Sequence, residues 1–155
     1  MLVSSAKNLA ALFGFLLLSS FSQNSCDLTV NITELKNDTG HLMVSFWDKS
    51  EWFPDDGFTQ ELIFKSIKSP IHTFEINGLP YGNYALAALH DENKDAEMNY
   101  NWVGMPKEGF AFSRNYKVTI RAPKWEESVI KLNRAEKTIN MKMQYWWNLR
   151  TAWAE

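Results

Sequence analysis

The sequence predicts an all-β protein, an antiparallel β-sandwich of about seven strands that follows an N-terminal signal peptide. Three observations favour this fold. Apolar and polar residues alternate with a period of two in several short runs, which is typical of half-buried strands. Clusters rich in Gly, Pro, Asn and Asp separate these runs, as turns do. No stretch beyond the first two dozen residues keeps a helical period, so the spacing of short strands indicates a sandwich.

The N-terminal segment has the layout of a secretory signal peptide. Lys7 supplies a positive charge, residues 9–18 form an unbroken apolar run, and small polar residues follow. An apolar run of this length is too short to span a bilayer comfortably. We therefore expect a secreted or periplasmic protein with no transmembrane segment in its mature chain. The expected organisation is a signal peptide (1–22), a β-sandwich domain (23–145) and a Trp-rich C-terminal tail (146–155).

Cysteine content and charge exclude several classes of protein. Cys26 is the only cysteine, so no disulfide forms within the chain. Lipid anchoring through Cys26 is the less favoured interpretation, because Gln23 stands where such sites carry an aliphatic residue. The formal net charge is −2, and the Lys and Arg residues are scattered. This distribution lacks the basic footprint of a nucleic-acid-binding protein and the polybasic patch of a membrane-surface protein.

The strands are predicted in order from alternation and turn signals. They cover residues 28–32, 42–46, 62–67, 71–76, 84–89, 116–120, 129–132 and 139–145. A turn cluster at residues 37–40 predicts that the first two strands form a hairpin. Residues 84–89 are nearly all apolar, which predicts a central strand covered on both faces. The predicted core comprises Leu28, Val30, Ile32, Leu42, Val44, Phe46, Phe74, Ile76, Leu86, Val118, Ile120, Ile139, Met141 and Met143.

A longer pattern surrounds the predicted central strand. Residues 74–87 read FEINGLPYGNYALA, residues 90–93 read HDEN, and residues 104–113 read GMPKEGFAFS. Together these resemble a family of secreted bacterial proteins known as domain of unknown function 2141, over about residues 26–145. The resemblance implies an exported transthyretin-like or immunoglobulin-like sandwich, and it implies no activity or substrate. Members of that family typically read D-E-N-G-N-G-x-L-D after the central strand, whereas here Lys94 and Ala96 stand in place of the two glycines.

The densest run of oxygen-bearing side chains follows the predicted central strand, in residues 90–108, here called the Asp/Asn-rich loop. Calcium takes six to eight oxygen ligands, and the candidate ligands are Asp91, Asn93, Asp95, Glu97, Asn101 and Glu108. The opening D-x-N-x-D resembles an EF-hand, but Ala96 stands at the sixth position, where Gly is needed, and Trp102 stands at the twelfth, where Glu is needed. Two interpretations stay open: a non-helical calcium loop, or a solvated loop whose Asx side chains cap their own turns.

Other candidate sites are weaker. His90 ends the predicted central strand, where it either orients the loop by hydrogen bonding or is a partly buried strand-end residue. Trp47, Trp52 and Trp102 would bind a carbohydrate or a protein if their rings were exposed together. A hydrolase would instead need two loop carboxylates facing each other across a pocket. No nucleophile elbow, phosphate loop or nucleotide fingerprint occurs. The sequence therefore favours a non-catalytic binding or accessory module with an unknown ligand.

Overall fold

Two β-sheets pack face to face in this protein. The computed structural model describes residues 24–55, 57–118 and 121–146. Its strands are β1 (Ser25–Thr33), β2 (His41–Trp47), β3 (Gln60–Phe64), β4 (Ile71–Pro80), β5 (Gly82–Asp91), β6 (Gly109–Phe112), β7 (Ile130–Leu132) and β8 (Glu136–Lys142). Helix in these ranges comprises a 3-10 turn (Ser113–Asn115), one short helix, α1 (Trp125–Ser128), and the single helical residue Trp146. The predicted all-β class is confirmed. The predicted signal peptide and the tail beyond Trp146 lie outside the described residues.

The first sheet has the strand order β4-β1-β8, and the second has the order β3-β2-β5-β6 with β7 beside the beginning of β5. The predicted central strand is confirmed, because β5 lies between β2 and β6. Antiparallel pairing is also confirmed for every pair of named strands except one. The first strand and the last strand, β1 and β8, run parallel. Parallel neighbours need a long crossover connection, and here the whole domain supplies it.

The predicted hairpin between the first two strands is wrong. β1 pairs with β4 and β8, whereas β2 pairs with β3 and β5 in the other sheet. The apolar residues of β1 and β2 therefore face each other across the sandwich, where both sets belong to one core cluster. The turn signal at residues 37–40 is real, but the connection crosses from one sheet to the other and has positive φ at Glu34 (60°) and Gly40 (81°).

The strand predicted at residues 116–120 is also misplaced. The strand that follows the Asp/Asn-rich loop is β6, and Tyr116–Val118 form no strand. All four residues of β6 are buried, so the segment shows no alternation that would indicate a half-buried strand. The first residue of this strand, Gly109, has to be glycine because the ring of Tyr145 packs where a Cβ would lie.

The main core fills the space between the sheets and matches most of the predicted set. Three predicted members, Ile76, Val118 and Ile139, are only partly buried, and Ile120 lies outside the described residues. A second core cluster, which includes Trp47, covers part of the outer face of the second sheet. Within the described ranges, no helix is both long enough and apolar enough to cross a lipid bilayer.

Candidate functional site

The Asp/Asn-rich loop folds around the side chain of Asp91, the last residue of β5. This carboxylate is fully buried. Its Oδ1 accepts hydrogen bonds from the backbone N–H groups of Lys94 (2.6 Å) and Asp95 (3.2 Å), and its Oδ2 accepts one from Ala96 (3.0 Å). Charge-assisted bonds from three backbone donors satisfy the buried carboxylate and hold the turn closed. Asp91 therefore organises the backbone of the loop.

Two residues of this turn have a left-handed backbone. The φ angle is 68° at Lys94 and 64° at Ala96, a region that Gly enters freely and other residues enter at a cost. These are the two positions at which the family pattern carries glycine. The loop therefore keeps a glycine-type conformation without glycine, and the bonds from both N–H groups to Asp91 support it.

Glu108 closes the far end of the loop onto its beginning. Its side chain is 4% exposed, and it accepts hydrogen bonds from the backbone N–H groups of Glu92 (3.1 Å) and Asn99 (3.3 Å). Burial raises the pKa of Glu108, and the negative charge of Asp91 raises it further. Carboxylate oxygens of Asp91, Asp95 and Glu108 all lie within 4.8 Å of one another. The structure thus brings together three of the six candidate calcium ligands.

The other three candidates make different contacts in the loop, and one of them, Asn93, adjoins the carboxylate cluster. Asn93 is exposed and donates from Nδ2 to Asp95 Oδ2 (2.8 Å). Glu97 is exposed and does not belong to the carboxylate cluster that the described residues form. Asn101 uses its Oδ1 to accept from the backbone N–H groups of Val103 and Met105, both at 3.0 Å. Asn101 therefore caps its own turn, as the solvated-loop interpretation expects.

His90 belongs to the core and not to a binding surface. It is fully buried. Its Nε2 lies 2.8 Å from the carbonyl oxygen of Thr39, and its Nδ1 lies 2.7 Å from the hydroxyl of Tyr145. Because a carbonyl only accepts, Nε2 carries the proton and Nδ1 accepts from the tyrosine hydroxyl. Burial raises the pKa of Tyr145 to about 12. No pattern in the sequence links His90 with Tyr145, 55 residues away.

The structure separates the three candidate tryptophans by their burial. Trp52 is 55% exposed and Trp102 is 96% exposed. Trp47 is buried, with its ring edge-on to Phe53 at a centroid distance of 5.2 Å. Its indole N–H donates to the backbone carbonyl of Asp55 (3.2 Å). The condition that all three rings be exposed together is therefore not met at Trp47, because the loop after β2 folds back over it.

A feature that sequence reasoning missed lies on the outer face of the second sheet. Two adjoining hollows, of about 530 Å³ and about 250 Å³, are here together called the outer groove. They share the lining residues Met98, Tyr100, Phe110, Phe112 and Ala122. Outward-facing residues of β2, β5 and β6 form the floor, and residues from the loops after β2 and β5 form the walls. The sequence did contain a signal for this feature: apolar residues stand at successive positions in these strands, which is typical of strands that are covered on both faces.

The charged side chains of the larger hollow have one sign. Its described lining includes the carboxylates of Asp55 and Glu61 and no Lys, Arg or His. Glu61 accepts a hydrogen bond from the hydroxyl of Ser45 (3.0 Å) on the floor. The three clustered carboxylates of the Asp/Asn-rich loop are not among the residues that line the groove. The carboxylate cluster and the groove are therefore separate features of one end of the second sheet.

Most of the described domain matches one protein family. The searches of the curated proteins and of the solved structures found no match. A family model described as "Uncharacterized protein conserved in bacteria (DUF2141)" matches residues 30–140. This match covers well over half of the chain and includes the Asp/Asn-rich loop. The chain therefore belongs to the DUF2141 family of uncharacterised bacterial proteins, as the pattern around its central strand predicted.

Proposed function

We propose that this protein is an exported, non-catalytic binding module whose outer groove takes an extended apolar segment, carrying a positive charge, of another protein. The observation that carries the proposal is the lining of the groove. Ligand sites are concave, mostly apolar and several hundred Å³ in volume, with a few polar groups that set orientation. The larger hollow matches this description in volume, about 530 Å³, and in its two carboxylates, Asp55 and Glu61.

The apolar lining favours a protein segment over a carbohydrate. Of the three tryptophans that the carbohydrate interpretation would use, Trp47 is buried and its N–H is already engaged. Met43 and Met98 also line the larger hollow. Methionine is flexible and polarizable, and it is common at surfaces that accept varied apolar side chains. Phe58 and Tyr100, which also line the hollow, are 41% and 57% exposed, so they are available to cover an incoming side chain.

Export is part of the proposal because of the N-terminal sequence. Residues 1–22 have the layout of a cleaved signal peptide. Cys26 supports a free exported protein over a lipid-anchored one. Its thiol is fully buried in the main core and lies within β1, and burial raises its pKa. Attaching lipid to this sulfur would require the residue to leave the core.

Titration with matched peptides tests the groove. The probe is a fluorescent peptide of sequence Leu-Trp-Arg-Trp, and its control replaces Arg with Glu. We expect the chain from residue 23 to 155 to bind the Arg peptide at least tenfold more tightly, because the larger hollow carries two carboxylates, whereas Arg121, which lines the smaller hollow, is already paired with Glu127. A soluble glucan oligosaccharide serves as a third ligand. Equal binding of both peptides, or preference for the oligosaccharide, would overturn the proposed ligand class.

A blocked variant locates the binding. Ala87 lies in the middle of the floor, opposite Ser45 in β2 and Phe112 in β6. Ala87→Trp places a large ring in the groove and should abolish peptide binding. The matched control is Thr29→Trp, which adds the same ring to the outside of the first sheet, where Thr29 is partly exposed. If Ala87→Trp left binding unchanged while folding normally, the site would lie elsewhere.

A second candidate function is calcium binding by Asp91, Asp95 and Glu108, and the observation that favours it is the distance between their oxygens. Calcium binds oxygens at about 2.3–2.6 Å, so two ligands on opposite sides of the ion are about 5 Å apart. One oxygen from each of the three carboxylates lies within 4.8 Å of the other two, so the cluster already meets this limit. Hydrogen bonds from Asn99 and from other loop groups lower the pKa of Asp95, which favours its ionised form. A bound cation would also offset the mutual repulsion of the cluster.

Thermal melting with calcium and with chelator tests this candidate. Calcium that binds with a dissociation constant near 0.1 mM would stabilise the fold by about 1.4 kcal/mol at about 1 mM calcium. This stabilisation would raise the midpoint of thermal unfolding by roughly 5 °C for a domain of this size. Asp95→Asn should abolish the shift, whereas Glu97→Gln, outside the carboxylate cluster, should keep it. No shift at several millimolar calcium would leave the three carboxylates with a structural role alone.

A further inference from the structure

The far half of the Asp/Asn-rich loop forms a small hairpin, whose residues 100–106 are here called the hairpin tip. Its two arms meet in an antiparallel bridge between Tyr100 and Pro106. At the turn, the backbone N–H of Asn101 donates to the carbonyl oxygen of Met105 (2.8 Å), and the side-chain Oδ1 of Asn101 accepts from the N–H of Met105 (3.0 Å). The shape of the tip is therefore fixed by hydrogen bonds within the hairpin.

The turn of the hairpin presents large apolar side chains to solvent. Trp102 is 96% exposed, Tyr100 is 57% exposed and Val103 is 52% exposed. Tryptophan is highly buried on average in folded proteins, so a ring that is almost completely exposed is unusual. Exposed apolar side chains that cluster within a few residues mark sites that contact a protein or a membrane. The tip therefore has the character of an interaction surface.

The charges of the loop fit an electrically neutral surface. Residues 100–106 contain no Asp, Glu, Lys, Arg or His. The first half of the loop, in contrast, carries the exposed carboxylates of Asp95 and Glu97. An anionic lipid surface would repel these carboxylates, because its negative potential acts within about a Debye length. Neutral headgroups carry no such penalty.

We infer that the hairpin tip inserts into the interfacial region of a lipid bilayer with zwitterionic headgroups, with Trp102 as the anchor. Trp and Tyr are enriched at membrane–water interfaces, because their rings are apolar and their N–H or O–H groups stay hydrated. The scattered Lys and Arg residues exclude docking through a polybasic patch, whereas the burial of apolar side chains requires none. This inference goes beyond the proposed function, since Trp102 and Val103 are not among the described residues that line the outer groove.

The size of the tip favours a membrane over a protein partner. An aromatic side chain buries about 150–250 Å², so Trp102 together with the exposed halves of Tyr100 and Val103 offers roughly 400 Å². A standard protein interface buries about 800 Å² on each partner, which is roughly twice this area. A narrow tip needs no flat surface around it to enter a bilayer, where interfacial elements lie about 5–10 Å deep.

Sedimentation with phosphatidylcholine vesicles tests the inference. The chain from residue 23 to 155 is used, because the apolar run at residues 9–18 would bind lipid by itself. We expect this chain to sediment with the vesicles, and Trp102→Ala to lower its partition coefficient by about tenfold. The matched control, Trp52→Ala, removes another exposed Trp from the loop at the opposite end of β2 from Asp91 and should leave partitioning unchanged. Partitioning should change less than twofold between about 0.1 M and about 0.5 M salt, because it depends on apolar burial.

A fluorophore at the tip reports insertion directly. Val103→Cys can be labelled selectively with an environment-sensitive dye, because Cys26, the only natural cysteine, is fully buried. Phosphatidylcholine vesicles should shift the emission of this dye to shorter wavelength. The control is the same dye at Asn133→Cys, an exposed position after β7, which pairs with the beginning of β5 at the end away from the loop. Its emission should not change.

The outcomes separate insertion from other causes of binding. No sedimentation with vesicles, an equal loss in Trp102→Ala and Trp52→Ala, or an unchanged emission at Val103→Cys would overturn the inference. Binding only to phosphatidylglycerol vesicles, lost at high salt, would indicate adsorption by charge and would also overturn it. Self-association that Trp102→Ala abolishes, without vesicle binding, would assign the tip to a second copy instead. Trp102→Ala should still bind the Leu-Trp-Arg-Trp probe, so a failure of membrane binding leaves the proposed function standing.

Discussion

Replacing Ala96 with Gly should stabilise the fold. Ala96 has φ of 64° in the turn that Asp91 holds. A left-handed conformation costs a residue with a Cβ about 1–2 kcal/mol. Glycine removes that cost, but it makes the unfolded chain more flexible, so folding loses more conformational entropy and stability falls by about 0.4–1 kcal/mol. The net expectation is a gain of about 0.5–1 kcal/mol in the free energy of unfolding, measured by urea denaturation at constant m-value.

The neighbouring position and a reverse substitution provide controls. Lys94→Gly, at φ of 68°, should give a similar gain, and the double variant should depart from additivity because both N–H groups bind the same carboxylate. Gly104→Ala is the reverse change: φ is 78°, and an added Cβ would meet nothing within 4 Å, so only backbone strain is introduced. It should lose about 0.5–1 kcal/mol. If Gly104→Ala destabilises as expected and Ala96→Gly does not stabilise, backbone strain at Ala96 is refuted.

Three further substitutions test side chains of the described structure. Tyr145→Phe leaves the buried Nδ1 of His90 without its partner, so urea denaturation should show a loss of about 1–3 kcal/mol; a loss below 0.5 kcal/mol would contradict the pairing. His72 is buried, and among the described residues neither of its ring nitrogens has a hydrogen-bond partner. Burial lowers its pKa from 6.5, and Lys68 lowers it further. Its contribution to stability is therefore complete above pH 6.5 and is lost as the pH falls through the lowered value, so His72→Phe should flatten the fall in stability between pH 7 and 5; parallel curves for both proteins would refute this. Arg121 donates two hydrogen bonds to Glu127, at 2.8 and 2.9 Å, and these are the main cause that lowers the pKa of Glu127 to about 2. Arg121→Gln should therefore move the titration of the Glu127 carboxyl group, measured by NMR, toward 4.5. An unmoved titration would disprove that cause.

The composition of the Asp/Asn-rich loop was predictable from the sequence, but the contacts that close the loop were not. The sequence predicted a loop rich in oxygen ligands after the central strand, and the structure places Asp91, Asp95 and Glu108 together there. Spacing alone did not indicate that Glu108 reaches back to the backbone of Glu92. A side chain contributed from the far end of a loop leaves no local periodicity, so the closed cluster follows from the fold of the loop and not from its opening motif.

Strands with one buried face were predictable because their signal is local. In β1, Leu28, Val30 and Ile32 alternate with polar residues, and the structure buries all three. The alternation contains no information about which strand lies beside β1, so the hairpin with β2 was wrong and the parallel partner β8 was missed. β6 was missed for a related reason, since both of its faces are buried.

By itself the sequence determined the all-β class, the central position of β5, the family, and the polar character of the loop that follows. These depend on side-chain periodicity and on short motifs, which are properties of neighbouring residues. Only the tertiary structure decided that His90 is a core residue bonded to Tyr145, that Trp47 is covered, and that the outer face of the second sheet forms a groove. These features join residues far apart in the chain. Their positions follow from how the two sheets and their loops pack, because burial and enclosure are set by the whole fold.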